Sequence, residues 1–81
     1  MTIQAAIKKI EKALNVKVEQ NGDSFRAIFG NQTIQFYKNG RTEEITCIRT
    51  WRGKDESDAM TDYTHGVFHH NITKAIKFIK I

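Results

Sequence analysis

Apolar positions near the N-terminus follow the period of an α-helix. They recur three or four residues apart between Ile3 and Leu14, and lysines and a glutamate occupy the other side. The apolar stripe consists of Ile3, Ala6, Ile7, Ile10 and Leu14. Because this spacing gives a helix one apolar face, we predict a helix over residues 3–14. Thr2 is the predicted N-cap, and Asn15 is the predicted stop.

The middle of the chain alternates between apolar and polar residues, which is typical of strands. Four strands are predicted, at residues 16–19, 24–29, 33–38 and 41–51. The turn signals between them are Asn21-Gly22-Asp23, Gly30-Asn31 and Asn39-Gly40. The last of these is the strongest hairpin signal in the chain, because both residues tolerate a positive φ. Short turns join antiparallel neighbours, so an antiparallel meander is predicted.

Alternation also assigns the side chains of the fourth strand to the two faces of the sheet. Ile45 and Cys47 are predicted to share the core face. Thr46, Ile48 and Thr50 then point to the other face. We therefore expect Cys47 to be a buried, structural cysteine.

The C-terminal part of the chain returns to a helical period after a turn-like segment at residues 62–66. Its apolar residues, three or four positions apart, are Phe68, Ile72, Ala75, Ile76 and Ile79. This spacing predicts a helix over about residues 67–79 that covers the sheet. The predicted fold is a single α+β domain over residues 1–81. It has an N-terminal helix, a four-stranded antiparallel meander and a C-terminal helix, with both helices on one sheet face.

Composition narrows the classes of protein. The 81 residues contain no apolar run near the roughly 20 residues that cross a bilayer. We expect no membrane association, and the first residues lack the order of a signal peptide. One cysteine excludes an internal disulfide, which favours a cytoplasmic setting. The net charge of +4 permits an acidic or nucleic-acid partner without requiring one.

The residues that commonly carry chemistry do not form a recognisable site. Three histidines lie close together: His65, His69 and His70. No cysteine pair accompanies them, so we expect no metal. The acidic loop contains Asp55, Glu56, Asp58 and Asp62. It lacks the spacing and the glycine of a calcium loop. No nucleophile stands beside a base, so we expect neither an enzyme nor a cofactor.

A basic and aromatic group at the end of the fourth strand is the candidate binding site. Its residues are Arg49, Trp51, Arg52 and Lys54, with Tyr37 as a second aromatic candidate on the third strand. Tryptophan and arginine are frequent at binding hot spots, and the same residue types suit a phosphate backbone with stacked bases. In the alternative interpretation, Trp51 packs under the C-terminal helix and the charged side chains are only solvated.

The C-terminal third resembles a known pattern. The matching residues are Asp62-Tyr63, Gly66, Phe68, Asn71-Ile72 and Ala75-Ile76, preceded by a strand with Ile45, Ile48 and Arg49 and a charged loop. They resemble the large polyvalent protein-associated domains, which are small α+β domains of phages and conjugative elements. The resemblance implies a mobile-element protein in a bacterial cytoplasm. Small free-standing proteins of that origin often inhibit host defence, as anti-CRISPR and antirestriction proteins do, by occupying a surface.

These observations give three functional hypotheses. The first is a phage or mobile-element protein that blocks a host protein or ribonucleoprotein complex, most of all a CRISPR effector, through the basic and aromatic group. The second is a module that binds nucleic acid directly with the same group. The third is an accessory module with a scaffolding role. The oligomeric state stays open.

Overall fold

The computed structural model describes residues 1–53 and 66–80. In order, its elements are α1 (Ile3–Leu14), β1 (Glu19–Asn21), β2 (Ser24–Phe29), β3 (Gln32–Lys38), β4 (Ile45–Arg52), β5 (Val67–His69) and α2 (Ile72–Lys80). The strands form one antiparallel sheet in the order β1-β2-β3-β4-β5. The α+β class is confirmed, whereas the prediction of four strands is wrong because β5 adds a fifth.

Both ends of α1 follow the prediction. The Thr2 hydroxyl accepts a hydrogen bond from the backbone N–H of Ala5 at 3.2 Å, as an N-cap does. Asn15 ends the helix in the left-handed conformation, with φ 54°. The strand predicted at residues 16–19 begins only at Glu19. Its predicted start is wrong because the backbone N–H of Val18 donates to the Glu11 carboxylate at 3.0 Å instead of to a neighbouring strand.

The hairpins differ in how closely they follow their turn signals. Asn21 pairs with Ser24, so Gly22 and Asp23 form a tight turn. Phe29 pairs with Gln32 across a second tight turn. The third connection is longer than predicted, because β3 ends at Lys38 and β4 starts at Ile45.

The chain between β3 and β4 has other hydrogen-bond partners than a two-residue hairpin would give it. The Asn39 side chain accepts from the N–H of Arg41 at 3.1 Å, which closes a local turn. The carbonyl of Glu43 accepts from the N–H of Ile3 at 2.7 Å, and the N–H of Ile45 donates to Met1. Residues 43–45 are therefore tied to the N-terminus, and the predicted start of the fourth strand at residue 41 is wrong.

One apolar core joins the two helices to the sheet. The helices contribute Ile3, Ala6, Ile10, Leu14, Ile72, Ala75, Ile76 and Ile79, and the strands contribute Phe25, Ala27, Ile34, Phe36 and Ile48. The rings of Phe25 and Phe36 stack with centroids 5.2 Å apart. We call the face of the sheet that carries these strand residues the inner face. Because successive side chains on a strand point in opposite directions, the residues between them form the outer face.

A β-bulge in β4 changes which residues point outward. Gln35 pairs with Arg49 and Tyr37 pairs with Thr46, so β4 holds one more residue than β3 over this stretch. The extra residue is Cys47, whose φ is 52°. Cys47 is exposed, so its predicted burial is wrong. The bulge turns Ile48 to the inner face, which reverses the face predicted from strict alternation.

The C-terminal helix begins later than predicted. Its first turn is capped by Asn71, whose side-chain oxygen accepts from the N–H of Lys74 at 2.8 Å. Val67, Phe68 and His69 instead form β5 on the edge of β4. Phe68 is 68% exposed and does not belong to the apolar stripe of the helix. The predicted helix over residues 67–79 is therefore wrong in its first turn.

Candidate interaction surface on the outer sheet face

A row of outward side chains crosses the whole described sheet. Each member stands opposite the next on the neighbouring strand, in the order Glu19, Arg26, Gln35, Arg49 and Phe68. We call these five residues the central row. Directly opposite residues have Cβ atoms roughly 5 Å apart, so the row is a continuous strip. The strip presents two guanidinium groups and one exposed aromatic ring.

Two shorter rows flank the central row on the outer face. On one side lie Asn21, Ser24, Tyr37 and Thr46. On the other side lie Ile28, Thr33 and Trp51. The outer face therefore combines hydroxyl, amide, guanidinium and aromatic groups, whereas the inner face is mainly apolar.

Hydrogen bonds fix the middle of the central row. Arg49 donates from Nη2 to the Gln35 Oε1 at 2.9 Å, and Gln35 donates from Nε2 to the Ser24 hydroxyl at 3.1 Å. Gln35 is buried, so its amide is satisfied at both ends. The guanidinium carbon of Arg49 also lies 4.8 Å from the centroid of the Trp51 ring, a cation–π contact. These contacts hold the Arg49 side chain along the outer face.

Gly66 borders the same arginine. A Cβ atom at Gly66 would lie 3.1 Å from Arg49 Cγ and 3.1 Å from the carbonyl oxygen of Thr50. Its φ of 88° is also one that residues with a side chain rarely adopt. Glycine at this position therefore leaves room for the stem of Arg49 and for the Thr50 carbonyl.

A polar groove lies at the β1 side of the outer face. Its volume is about 290 Å³, and it is lined by Glu19, Gln20, Asn21, Ser24, Arg26, Gln35 and Tyr37. Arg26 and Tyr37 are both half-buried in it. Among residues 1–53 and 66–80, no carboxylate lies within 4.0 Å of the Arg26 guanidinium. The groove therefore offers five N–H donors and a phenol hydroxyl to an incoming group.

The structure brings together only some of the predicted site residues. Tyr37 and Arg49 lie on the outer face. Trp51 also lies on it, opposite Thr33, but it is 3% exposed. It is buried without packing under α2, so neither of the two predicted placements describes it. Arg52 points to the inner-face side opposite Gln32, whose side chain donates to the carbonyl of Ile79 at 3.1 Å.

Lys54 lies outside the described residues, as do the acidic loop and His65. The sequence interpretation missed Arg26, Gln35 and Phe68 as members of the surface. Arg26 was detectable in principle, since it stands between Phe25 and Ala27 in an alternating strand. Phe68 was missed because its spacing to Ile72 fits a helix, which assigned it to the apolar stripe of the C-terminal helix.

The described histidines have different surroundings. His69 lies opposite Ile48 on the inner-face side, with its Nε2 2.8 Å from the Thr50 hydroxyl oxygen. Its ring centroid is 5.2 Å from that of Phe78 on α2. Burial lowers the pKa of His69 below its ordinary value. His70 is exposed. Over the described ranges, no three His, Cys, Asp or Glu side chains are grouped to hold a metal ion.

The fold and this surface define a small α+β domain with an open five-stranded sheet, whose outer face carries polar and aromatic residues. Comparison of the chain with protein-family models, with curated proteins and with solved structures finds no match. Neither helix in the described part of the chain has the length and apolar character needed to cross a membrane.

Proposed function

We propose that this protein is a non-catalytic binding protein that covers a surface of a protein partner with the outer face of its sheet. The observation that carries this proposal is the central row, in which Arg26 and Arg49 stand in line with the exposed ring of Phe68. Arginine and aromatic side chains are enriched at protein interfaces and supply much of their binding free energy. Tyr37 adds a second aromatic side chain beside the row.

The fixed conformation of the Arg49 side chain supports this proposed binding. Binding usually costs conformational entropy when a long side chain becomes fixed, about 0.5–1.5 kcal/mol for each such side chain. The Gln35 hydrogen bond and the Trp51 ring already hold Arg49 in the free protein. These contacts reduce the conformational entropy that the Arg49 side chain loses when a partner covers the outer face.

The groove specifies the chemistry of the partner further. Arg26, which lines the groove, has five N–H donors and no described carboxylate partner, and Ser24 and Tyr37 contribute hydroxyl groups to the same lining. An aspartate or glutamate side chain of the partner would accept from these groups in charge-assisted hydrogen bonds. The negative charge of Glu19, which also lines the groove, would repel a continuous line of phosphates. The mixed charge of this face therefore favours a protein partner over a nucleic-acid backbone.

The identity of the partner rests on the resemblance to the large polyvalent protein-associated domains. That resemblance supports a phage or mobile-element protein that acts in a bacterial cytoplasm and inhibits a host defence complex, a CRISPR effector first of all. Inhibition would be steric, because the domain would cover a surface that the effector needs. The alternative is a module that binds nucleic acid with the same outer face.

The test is co-purification with a tagged CRISPR effector from bacterial cells, together with protection of a phage from CRISPR immunity. We expect the wild-type protein to co-purify and to protect. Arg26→Glu should weaken binding by a factor of about 30 or more, as expected for a hot-spot residue. Arg41→Glu makes the same change of charge at an exposed site in the connection between β3 and β4, and it should bind like the wild type.

Two outcomes contradict the proposal. Absence of co-purification and of protection would contradict the assigned partner. Equal losses of affinity in Arg26→Glu and Arg41→Glu would show that binding does not depend on the outer face. The nucleic-acid alternative requires that the protein bind DNA or RNA at about 50 mM salt and that Arg26→Glu and Phe68→Ala abolish this binding.

A further inference from the structure

The net charge of the two helices is more positive than the net charge of the whole protein. Six lysines lie in α1 and α2, against the single acidic residue Glu11, which gives the helices a net charge of +5. The other seven basic and eight acidic side chains sum to −1, which accounts for the total of +4. We call the six residues the lysine layer: Lys8, Lys9, Lys12, Lys74, Lys77 and Lys80. The net positive charge of the protein is therefore concentrated on the two helices.

The lysine layer faces solvent as one surface. All six lysines are exposed, whereas the apolar sides of both helices are buried in the shared core. The helices also contact each other. Within residues 1–53 and 66–80, no carboxylate lies within 4.0 Å of any of the six ammonium groups. The Glu11 carboxylate accepts a hydrogen bond from the N–H of Val18, and it lies more than 4.0 Å from each of the six ammonium groups.

Helix stability does not explain this charge pattern. Lysines in a last helical turn interact favourably with the helix dipole, which accounts for Lys12, Lys77 and Lys80. Lys8, Lys9 and Lys74 lie outside those turns. Lys8 and Lys12 are four residues apart, and Lys74 and Lys77 are three apart, so they repel each other along their helices. The same dipole would favour acidic residues in the first turns, where both helices have none.

We infer that the lysine layer is a binding surface for the phosphate backbone of double-stranded nucleic acid. Lysine ammonium groups act as mobile point charges that neutralise phosphates without reading bases. Binding is therefore independent of sequence and strongly dependent on salt. This surface lies on the other side of the sheet from the outer face, so the inference stands independently of the proposed protein partner.

The packing of the helices favours nucleic acid over an anionic membrane as the occupant. A helix that binds a membrane surface inserts its apolar face between the lipids. Here the apolar faces of α1 and α2 are buried against the sheet, and the exposed side of α2 offers one large ring, Phe78, at its flank. The remaining contact is electrostatic, which suits a polymer with regularly spaced phosphates.

The test uses the purified full chain and a fluorescently labelled DNA duplex of about 20 base pairs, with anisotropy as the readout. If four to six phosphates are contacted, the affinity should fall by about 10²- to 10³-fold between about 50 and 200 mM salt. The triple variant Lys8→Gln, Lys74→Gln and Lys77→Gln should reduce the slope of log K against log salt by about 3. Glutamine keeps the helix propensity close to that of lysine, and circular dichroism verifies the fold.

The control removes positive charges outside the two helices, in Lys17→Gln and Arg41→Gln, both at exposed positions. Its salt slope should stay close to that of the wild type. Equal losses for each charge removed in the two variants would mean that binding follows net charge only and would overturn the inference. Absence of duplex binding at about 50 mM salt would do the same, as would tighter binding to phosphatidylglycerol vesicles than to the duplex.

Discussion

Gly66 borders the side chain of Arg49, although it has no side chain of its own. Its positive φ strains any residue with a side chain, and a Cβ atom there would be tight against Arg49 Cγ and the Thr50 carbonyl. We predict that Gly66→Ala lowers the free energy of unfolding by about 1–3 kcal/mol, because it combines backbone strain with close contacts. Urea denaturation measures this loss. Gly40→Ala is the control, since an added methyl group there meets open space. Equal stability losses would contradict the prediction.

His69 should make the stability of the protein depend on pH. Burial lowers its pKa below the ordinary value of 6.5, so the unfolded chain binds more protons than the folded chain between the two pKa values. Stability therefore rises with pH in that interval. It falls as the pH is lowered through 6.5 towards the pKa of the folded state.

Thermal unfolding at a series of pH values tests this prediction. His69→Gln should flatten the dependence of Tm on pH below 6.5, whatever its effect on stability at high pH. His70→Gln changes the exposed neighbour and should keep the wild-type slope. An unchanged slope in His69→Gln would mean that other groups carry the acid sensitivity.

The bulge at Cys47 determines which β4 side chains lie on the outer face. Strict alternation places Ile48 and Thr50 away from the core, and it leaves Arg49 and Trp51 facing the core. The extra residue in β4 reverses this order, so the apolar Ile48 is buried and Arg49 reaches the outer face. The sequence around Cys47 has no glycine to signal the positive φ. The bulge was therefore not predictable from the pattern.

The bulge at Cys47 leads to a prediction that is opposite to the one expected from strand propensity. Valine is favoured in regular strands, but a β-branched residue is strongly disfavoured at φ 52°. Cys47→Val should lower the free energy of unfolding by about 1–3 kcal/mol. Cys47→Gly should be neutral or slightly stabilising, because glycine adopts this φ without strain. Thr46→Val, at the neighbouring exposed position, is the control and should change stability little. A stabilising Cys47→Val would show that the bulge is not retained.

Local patterns predicted the elements better than their ends. The helix α1 and the strand β2 agree with the predicted bounds, because a cap or a tight turn fixes each end close by in sequence. The start of β4 and the strand β5 depend on distant partners, namely the N-terminus and β4 itself. Phe68 fitted the helical period by spacing alone. The sequence signal for the boundary between β5 and α2 is Asn71, a residue type that is favoured as a helix N-cap.

The candidate binding groups lie on two opposite surfaces of the molecule. The outer face offers two arginines and the exposed ring of Phe68, and the lysine layer offers diffuse positive charge. A ribonucleoprotein would engage both surfaces if its protein meets the outer face while its nucleic acid reaches the lysine layer. Two linked contacts raise the affinity through effective concentration, without any change at either surface.

If the partner is a CRISPR effector, as we propose, the protein should bind the effector loaded with its nucleic acid at least about 10-fold more tightly than the same effector without it. The triple variant of the lysine layer should bind both forms with the affinity that the wild type shows for the unloaded form. Arg26→Glu should weaken binding to both forms by similar factors, because it alters only the protein contact. Titration of both forms with the wild type and with each variant, by calorimetry or anisotropy, gives these comparisons.

The independence of the two surfaces gives this prediction its sharpest form. Sites far apart with no shared partners have additive effects, within about 0.5 kcal/mol. Combining Arg26→Glu with the triple variant should therefore multiply their separate losses of affinity for the loaded effector. A combined loss well below that product would mean that the surfaces meet one common site on the partner. Equal affinities of the wild type for loaded and unloaded effector would instead remove the lysine layer from the interaction, while leaving the outer face as the binding surface.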